Sequence, residues 1–263
     1  MSPIISVVTG GARGIGLATA RALARRGRAV ALLDLNDAEA QAQATQLSEE
    51  FGVRTLGLRV DVTSQASVDT AFTEVERSLG SVDILVNNAG LITPAYLAVE
   101  DLPLEDFERM IAVHVTGSFL CSARAMPAMK RNGYGRIMMI SSLVGPLGFT
   151  NRVAYSTAKE GIVGMMRSLA VEAGPYGVTV NAIAPGWITS PIIEQRIRDG
   201  VLDGQALLAR TPLGRFGTPD DIGNAIAALS GPDFDFLNGV EIPFDGGFKI
   251  TGEQIEHARA AVA

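Results

Sequence analysis

Residues 4–34 read IISVVTGGARGIGLATARALARRGRAVALLD, and this stretch decides the fold. Residues 4–8 form a β-branched apolar run, residues 9–16 a glycine-rich turn, and the apolar spacing through residue 26 has the period of a helix. A second apolar run at 29–33 ends in an acid, Asp34. A buried strand, a glycine turn and a helix N-terminus together make a phosphate site. The glycines let the backbone approach a pyrophosphate, and the free N–H groups of the first helical turn face its charge. The spacing, Gly10-x3-Gly14-x-Gly16, differs from the commoner G-x-G-x-x-G, and such a loop alone is also an ordinary turn. Asp34 lies eighteen residues beyond Gly16, near the separation at which a dinucleotide fold sets a carboxylate against the adenosine ribose. A carboxylate there accepts from the ribose hydroxyls and repels a 2′-phosphate, so NAD is expected over NADP. Arg13 in the loop pulls the other way, and helix capping is the plainer alternative for Asp34.

The unit then repeats. Helical pattern at 37–51 leads to a strand at 54–60, helical pattern at 64–79 to a strand at 82–86, and a long helix is expected over 104–131, with Gly117 and Pro127 inside it. Strands follow at 136–141, 179–183 and 239–244. This alternation predicts an α/β fold, a doubly wound parallel sheet of Rossmann type with helices on both faces. Ligands then gather at the carboxyl ends of the strands, where Asn87-Asn88-Ala89-Gly90 sits. No linker or low-complexity tract breaks residues 1–263, so one domain is expected, with a substrate lid over 190–215. The tail at 251–263 has a helix-compatible pattern and suits either a partner subunit or a frayed end.

Composition narrows the class. The chain has 263 residues, a net charge of −6 and no basic block, so nucleic acid and anionic membrane are poor partners. No apolar run approaches the ~18 residues of a membrane span, and the N-terminus lacks the regions of a secretory signal. One cysteine, Cys121, allows no intramolecular disulfide, which fits a reducing cytoplasm. Two distant histidines and that cysteine form no metal-ligand cluster.

The chemistry is expected in residues 142–159, SLVGPLGFTNRVAYSTAK. Tyr155 and Lys159 are four apart and share a helix face. A phenol ionises near pH ~10, and an adjacent ammonium favours its phenolate. Ser142, at a strand end, is suited to hold an alcohol or carbonyl oxygen beside the phenol. The set suits proton transfer to or from an alcohol oxygen, although a Tyr-x-x-x-Lys pair by itself is commonly an exposed helix face.

Taken in order, Thr9-Gly-x-x-x-Gly-Ile-Gly16, Asp61-Val62, Asn87-Asn-Ala-Gly90, Ser142…Tyr155-x-x-x-Lys159, Asn181…Pro185-Gly186 and Asp245-Gly-Gly247 make the chain resemble the short-chain dehydrogenase/reductase family over nearly its whole length. The resemblance implies a seven-stranded parallel sheet and a homotetramer or homodimer. It implies Tyr155 as acid–base, Lys159 as the group that depresses its pKa and binds the nicotinamide ribose, and Ser142 as the positioner of the substrate oxygen. Cofactor contacts are implied for Gly10, Arg13, Gly14, Ile15 and Gly16, for Asp34 and Leu35, for Asp61 and Val62, and for Asn87, Asn88, Ala89 and Gly90. They are implied further for Tyr155 and Lys159, and for Pro185, Gly186, Ile188 and Ser190, the last standing where the family usually has threonine. One departure is larger: His114 occupies the place of the family's helical asparagine in a proton relay. An imidazole that titrates near neutral pH is expected to keep that relay, with a packed helix residue as the alternative.

The function expected is NAD-dependent interconversion of a secondary alcohol and a ketone. A 3-oxoacyl thioester reductase of the same family is the alternative, and a nucleotide-sensing or scaffold protein is the alternative from another class. The substrate pocket is expected among Ile92, Thr93, Tyr96, Val144, Leu147, Phe149, Trp187 and Ile193. Arg152 is a candidate for a substrate carboxylate, with solvent or a neighbouring subunit the more ordinary contact.

Overall fold

The computed structural model describes residues 3–92, 96–252 and 254. The candidate pocket residue Thr93 and nearly all of the tail at 251–263 lie outside them. Seven parallel strands form one sheet: β1 (Ile5–Thr9), β2 (Ala29–Asp34), β3 (Thr55–Arg59), β4 (Ile84–Asn87), β5 (Gly135–Ile140), β6 (Val178–Pro185) and β7 (Glu241–Phe244), in the order β3-β2-β1-β4-β5-β6-β7. The chain winds outward from β1 to β3, then returns to the other side of β1 with β4. That reversal opens a crevice at the carboxyl ends of β1 and β4.

The strands are continuous apolar runs because both faces are covered. Leu32, Leu33, Ile84 and Leu85 have no exposed surface, and each such side chain contributes about 1.5–3 kcal/mol of burial. Helices α1 (Gly14–Arg25) and α2 (Asp37–Phe51) cover one face. On the other lie α3 (Gln65–Ser78) and the later helical segments Gly117–Asn132 and Val153–Ala173. Start signals agree with their positions: Asn36 and Ser64 accept from backbone N–H groups three residues on, capping α2 and α3.

The long helix expected at 104–131 is two helices, α4 (Leu104–Ile111) and α5 (Gly117–Asn132), joined by a π turn at Ala112–Thr116. The apolar period runs unbroken through the joint, so the sequence carries no stop signal there. Ser118 Oγ donates to the His114 carbonyl at 2.7 Å, giving that oxygen a side-chain donor within the widened turn.

A short helix α6 (Val144–Leu147) and a reversal through Gly148 (φ 64°) and Asn151 (φ 61°) lead into α7 (Val153–Ala173). Both turn residues have positive φ, which Gly adopts freely and Asn more readily than other residues. Residues 190–215, expected as a lid, contain α8 (Pro191–Arg198) and α9 (Gly204–Ala209), which are more regular than the mixed sequence suggested. Helix α10 (Pro219–Leu229) then starts with a capping box, Thr218 with Asp221. Among the described residues no helix is long and apolar enough to cross a membrane.

Candidate active site

The glycine loop sits at the crevice. Gly10 has φ 60°, and a Cβ there would stand 3.0 Å from the Ala89 Cα. A Cβ on Gly16 would lie 2.0 Å from the Gly10 carbonyl oxygen, which no rearrangement of a side chain relieves. Asn88 ties this loop to the end of β4 by donating from Nδ2 to the carbonyls of Thr9 and Gly10, both at 2.9 Å. Thr9 Oγ1 accepts from the N–H groups of Asn88 and Ala89. The threonine was not singled out in the sequence; only the pairing of β1 with β4 reveals that it braces both loops.

Asp34, at the end of β2, accepts from the Ala12 N–H at 3.1 Å and from the Asn36 N–H at 3.1 Å. Its carboxylate therefore stands against the glycine loop, and Asn36 rather than Asp34 caps α2. Arg13 and Gly14 are exposed, Ile15 is half-buried, and Leu35 is exposed beside Asp34. Asp61 accepts from the N–H and hydroxyl of Thr63, which hold its carboxyl below the usual range. Val62 packs at Gly117, where a Cβ would come within 2.8 Å of it. These groups fit an adenine dinucleotide: a backbone cradle that a side chain would fill, with an acid at the end of β2 beside it.

Past β6, Gly186 lies so close to Asp245 that a Cβ would meet its Cα at 2.7 Å. Ile188 bridges Gly217 through the peptides on either side of it: Gly217 N–H donates to Trp187 O and Thr189 N–H to Gly217 O. A parallel bridge of this kind turns the N–H and C=O of Ile188 itself to the opposite side. Pro185 is the last residue of β6, and the Ser190 hydroxyl caps α8 by accepting from the Ile193 N–H at 3.3 Å.

Tyr155, Lys159 and Ser142 come together at the end of β5. Lys159 is buried and donates from Nζ to the Ile140 carbonyl at 2.8 Å. Burial pushes its ammonium down to about 7. The Ser142 hydroxyl accepts from the Val144 N–H at 3.2 Å and stands near enough to the Tyr155 phenol to lower its pKa. The net direction for Tyr155 is upward, against the sequence expectation. Burial outweighs the two influences that lower it, the Ser142 hydroxyl and the Arg152 guanidinium, and Lys159 is not one of those two. The physical reason is that the lysine is desolvated too: its Nζ lies 5.5 Å from the phenol ring centroid and is held by a backbone carbonyl.

His114 also differs from expectation. Its Nε2 lies 3.0 Å from both the N–H and the carbonyl oxygen of Leu91, and its ring meets Tyr155 edge-on at 5.7 Å. A Cβ on Gly90 would come within 2.5 Å of His114 Cε1, so the glycine and the imidazole fit each other. Burial first, and then the Lys159 charge, push the imidazole down to about 3. This direction runs against the expectation of an imidazole that titrates near neutral pH; the neutral ring is favoured, and its contact with Leu91 holds the loop after β4. Its NMR ring signals are expected to stay at the neutral position from pH 8 to pH 5, while those of a solvated histidine move through a midpoint near pH ~6.5. Unfolded His114 takes up a proton below that midpoint and the folded group does not, so stability falls as pH drops from about 6.5 towards 3.

The apolar wall beside Tyr155 holds Val144, Phe149, Trp187 and Leu207. Ile92 and Leu147 are largely exposed. Arg152, expected at solvent or a partner, is buried at 9% exposure. A cleft of about 490 Å³ opens beside Arg152 and Phe149, but neither Ser142, Tyr155 nor Lys159 lines it. Among the described residues no three His, Cys, Asp or Glu side chains group as a metal site.

The family model described as enoyl-(acyl carrier protein) reductase matches residues 10–249. The chain belongs to the short-chain dehydrogenase/reductase family. Short-chain dehydrogenase/reductase relatives include 2-(S)-hydroxypropyl-CoM dehydrogenase 3 of Xanthobacter autotrophicus (strain ATCC BAA-1158 / Py2), 39% identical over 246 residues, 92% of this chain and 95% of that protein. They also include the 3-oxoacyl-(acyl-carrier-protein) reductase FabG of Aquifex aeolicus (strain VF5), 36% identical over 246 residues, 92% of this chain and 96% of that one. Among solved structures, an NAD+-bound xylitol dehydrogenase superposes with a TM-score of 0.88 at 33% identity, over 94% of this chain and 99% of the other. Short-chain dehydrogenase/reductase enzymes are oxidoreductases that use a nicotinamide cofactor, so the sheet, its helices and the oxidoreductase class follow.

Proposed function

We propose that this protein interconverts a secondary alcohol and a ketone with NAD, using Tyr155, Lys159 and Ser142. The observation that carries the reading is the meeting of Tyr155 and Ser142 hydroxyls at the end of β5, with buried Lys159 one turn along α7. Ser142 holds the substrate oxygen beside the phenol. Tyr155 takes the hydroxyl proton during oxidation and returns it during reduction. Lys159 lies one turn along the same helix face, and the groups that favour the phenolate are the Ser142 hydroxyl and the Arg152 guanidinium. The nicotinamide, when bound, supplies the hydride acceptor or donor. Ile188, with its free peptide edge, and Gly186 are suited to the carboxamide side of that ring. Helices α8 and α9 serve as the lid over residues 190–215. Exposed Phe119, Val153 and Val171 on α5 and α7 suit a homotetramer or homodimer, in the cytoplasm and acting on a small molecule.

NAD is preferred because the Asp34 carboxylate stands against the glycine loop, where a 2′-phosphate meets like charge. Asp34→Ser is expected to lower kcat/KM with NAD by about 10–100-fold, the worth of one or two hydrogen bonds to a charged group, and to raise activity with NADP. Steady-state kinetics with both dinucleotides checks it, and an unchanged NAD/NADP ratio counts against Asp34 at the ribose. The reaction itself is tested by a screen of secondary alcohols with NAD, following the absorbance of reduced nicotinamide. Turnover of at least one alcohol supports the reading. Activity confined to 3-oxoacyl thioesters with NADPH favours the thioester reductase instead.

A further inference from the structure

Two guanidinium groups converge on one phenol next to Tyr155. Arg152 comes three residues before Tyr155, at the start of α7, and Arg196 lies in the lid helix α8. Arg152 donates from Nη2 to the Tyr96 hydroxyl, and Arg196 donates from Nη1 to the same oxygen at 2.5 Å. Their guanidinium carbons stand 3.8 and 4.5 Å from the Tyr96 ring centroid. The Arg152 carbon is also 5.8 Å from the Tyr155 ring centroid.

Among the other buried cations, Arg136 pairs with Asp235, while Arg28 and Lys159 donate to the backbone carbonyls of Ser230 and Ile140. Arg152 has no acid either: among the described residues the ionisable groups acting on it are Tyr96, Tyr155 and Arg196, none of them a carboxylate, and its guanidinium shares the Tyr96 oxygen with a second cation. A desolvated guanidinium is costly without a counter-charge, and a neutral phenol oxygen shared with a second cation supplies little. The turn at Asn151, whose Nδ2 donates to the Tyr96 carbonyl at 3.3 Å, nevertheless directs Arg152 inward to this place. A fold that needed only a lid latch is served by one arginine on the phenol.

We infer that the substrate carries an anionic head, a carboxylate or sulfonate, which Arg152 binds with Tyr96 and Arg196 framing it, while the carbinol end lies at Tyr155. Guanidinium forks match such oxyanions with two parallel hydrogen bonds. This deepens the dehydrogenase reading and rests on it for the identity of the carbinol.

The test is calorimetric titration of butanoate, cyclohexanecarboxylate and propanesulfonate, each beside its neutral amide, into the full-length enzyme held with NADH. At least one anion is expected to bind 30-fold or more tightly than its amide, and Arg152→Gln is expected to erase that preference while Arg152→Lys retains part of it. The ranking of sulfonate against carboxylates separates the two sources of the charge. Amides that bind as well as anions, no anion preference across the panel, or a preference that survives Arg152→Gln overturns the inference. A purely structural Arg152 would instead weaken NADH, anion and amide together, leaving the ratio intact. No turnover enters this titration, so its failure leaves the alcohol screen standing, and failure of that screen leaves this result readable.

Discussion

Tyr155→Phe is expected to lower kcat about a thousandfold while NADH still binds. The phenol is the group that exchanges a proton with the substrate oxygen, and losing a positioned acid–base costs ~10²–10⁴ in rate. Phe keeps the ring that meets His114 edge-on and that packs against the wall at Val144 and Trp187, so the variant loses one oxygen and little packing. Binding can be read separately through the chain's single tryptophan, Trp187. It lies on that wall, with Phe149 at 6.1 Å and Phe248 at 6.4 Å between ring centroids, and bound reduced nicotinamide accepts its emission. A variant that turns over within tenfold of wild type removes Tyr155 from the chemistry. A variant that neither turns over nor quenches Trp187 has lost the crevice as a whole and says that the tyrosine holds the fold.

Lys159→Met is expected to lose turnover to a similar degree and yet to raise the melting temperature. Burial lowers the lysine from its ordinary 10.5 to about 7. Between those values the unfolded chain binds a proton that the folded chain does not. Stability therefore falls as pH drops from about 10.5 to about 7, and the whole cost, on the order of 5 kcal/mol, is present below that window. Methionine removes the charge and keeps most of the volume. It also leaves the Ile140 carbonyl without the donor that Lys159 supplies at 2.8 Å, which costs about 1–3 kcal/mol. The balance is a gain of a few kcal/mol, or roughly 5–10 °C for a chain of this size. Thermal melts at pH 6 check it, and a lower melting temperature in the variant would show that Lys159 is held at no net cost. The lysine is thus read as a group kept for chemistry at the expense of stability.

The sheet was legible because its strands are buried on both faces: residues 29–33 have no polar interruption, and Asp34 marks where the run meets the crevice. The glycine loop was legible because close backbone approach demands glycine: a Cβ on Gly16 would lie 2.0 Å from the Gly10 carbonyl oxygen. What failed to show in the sequence depends on contacts between distant segments. The π turn leaves the apolar period of residues 104–131 intact, so nothing in the spacing separates two helices from one. The ionisation of His114 is set by burial and by Lys159, 45 positions later, and not by its neighbours in the chain. Arg152 looked like a surface residue because it follows the turn-forming residues Gly148, Thr150 and Asn151. Its burial comes from Tyr96, which reaches it across 56 positions. Thr9 likewise acts only once β1 and β4 lie side by side.

The most direct measurement is a crystal structure of the protein with NAD and an anionic secondary alcohol that the enzyme binds. The adenosine ribose is expected on Asp34, and the alcohol oxygen within hydrogen-bonding distance, about 2.6–3.2 Å, of both Tyr155 and Ser142. A dinucleotide lying away from the crevice between β1 and β4, or an alcohol oxygen out of reach of the Tyr155 hydroxyl, would contradict the account.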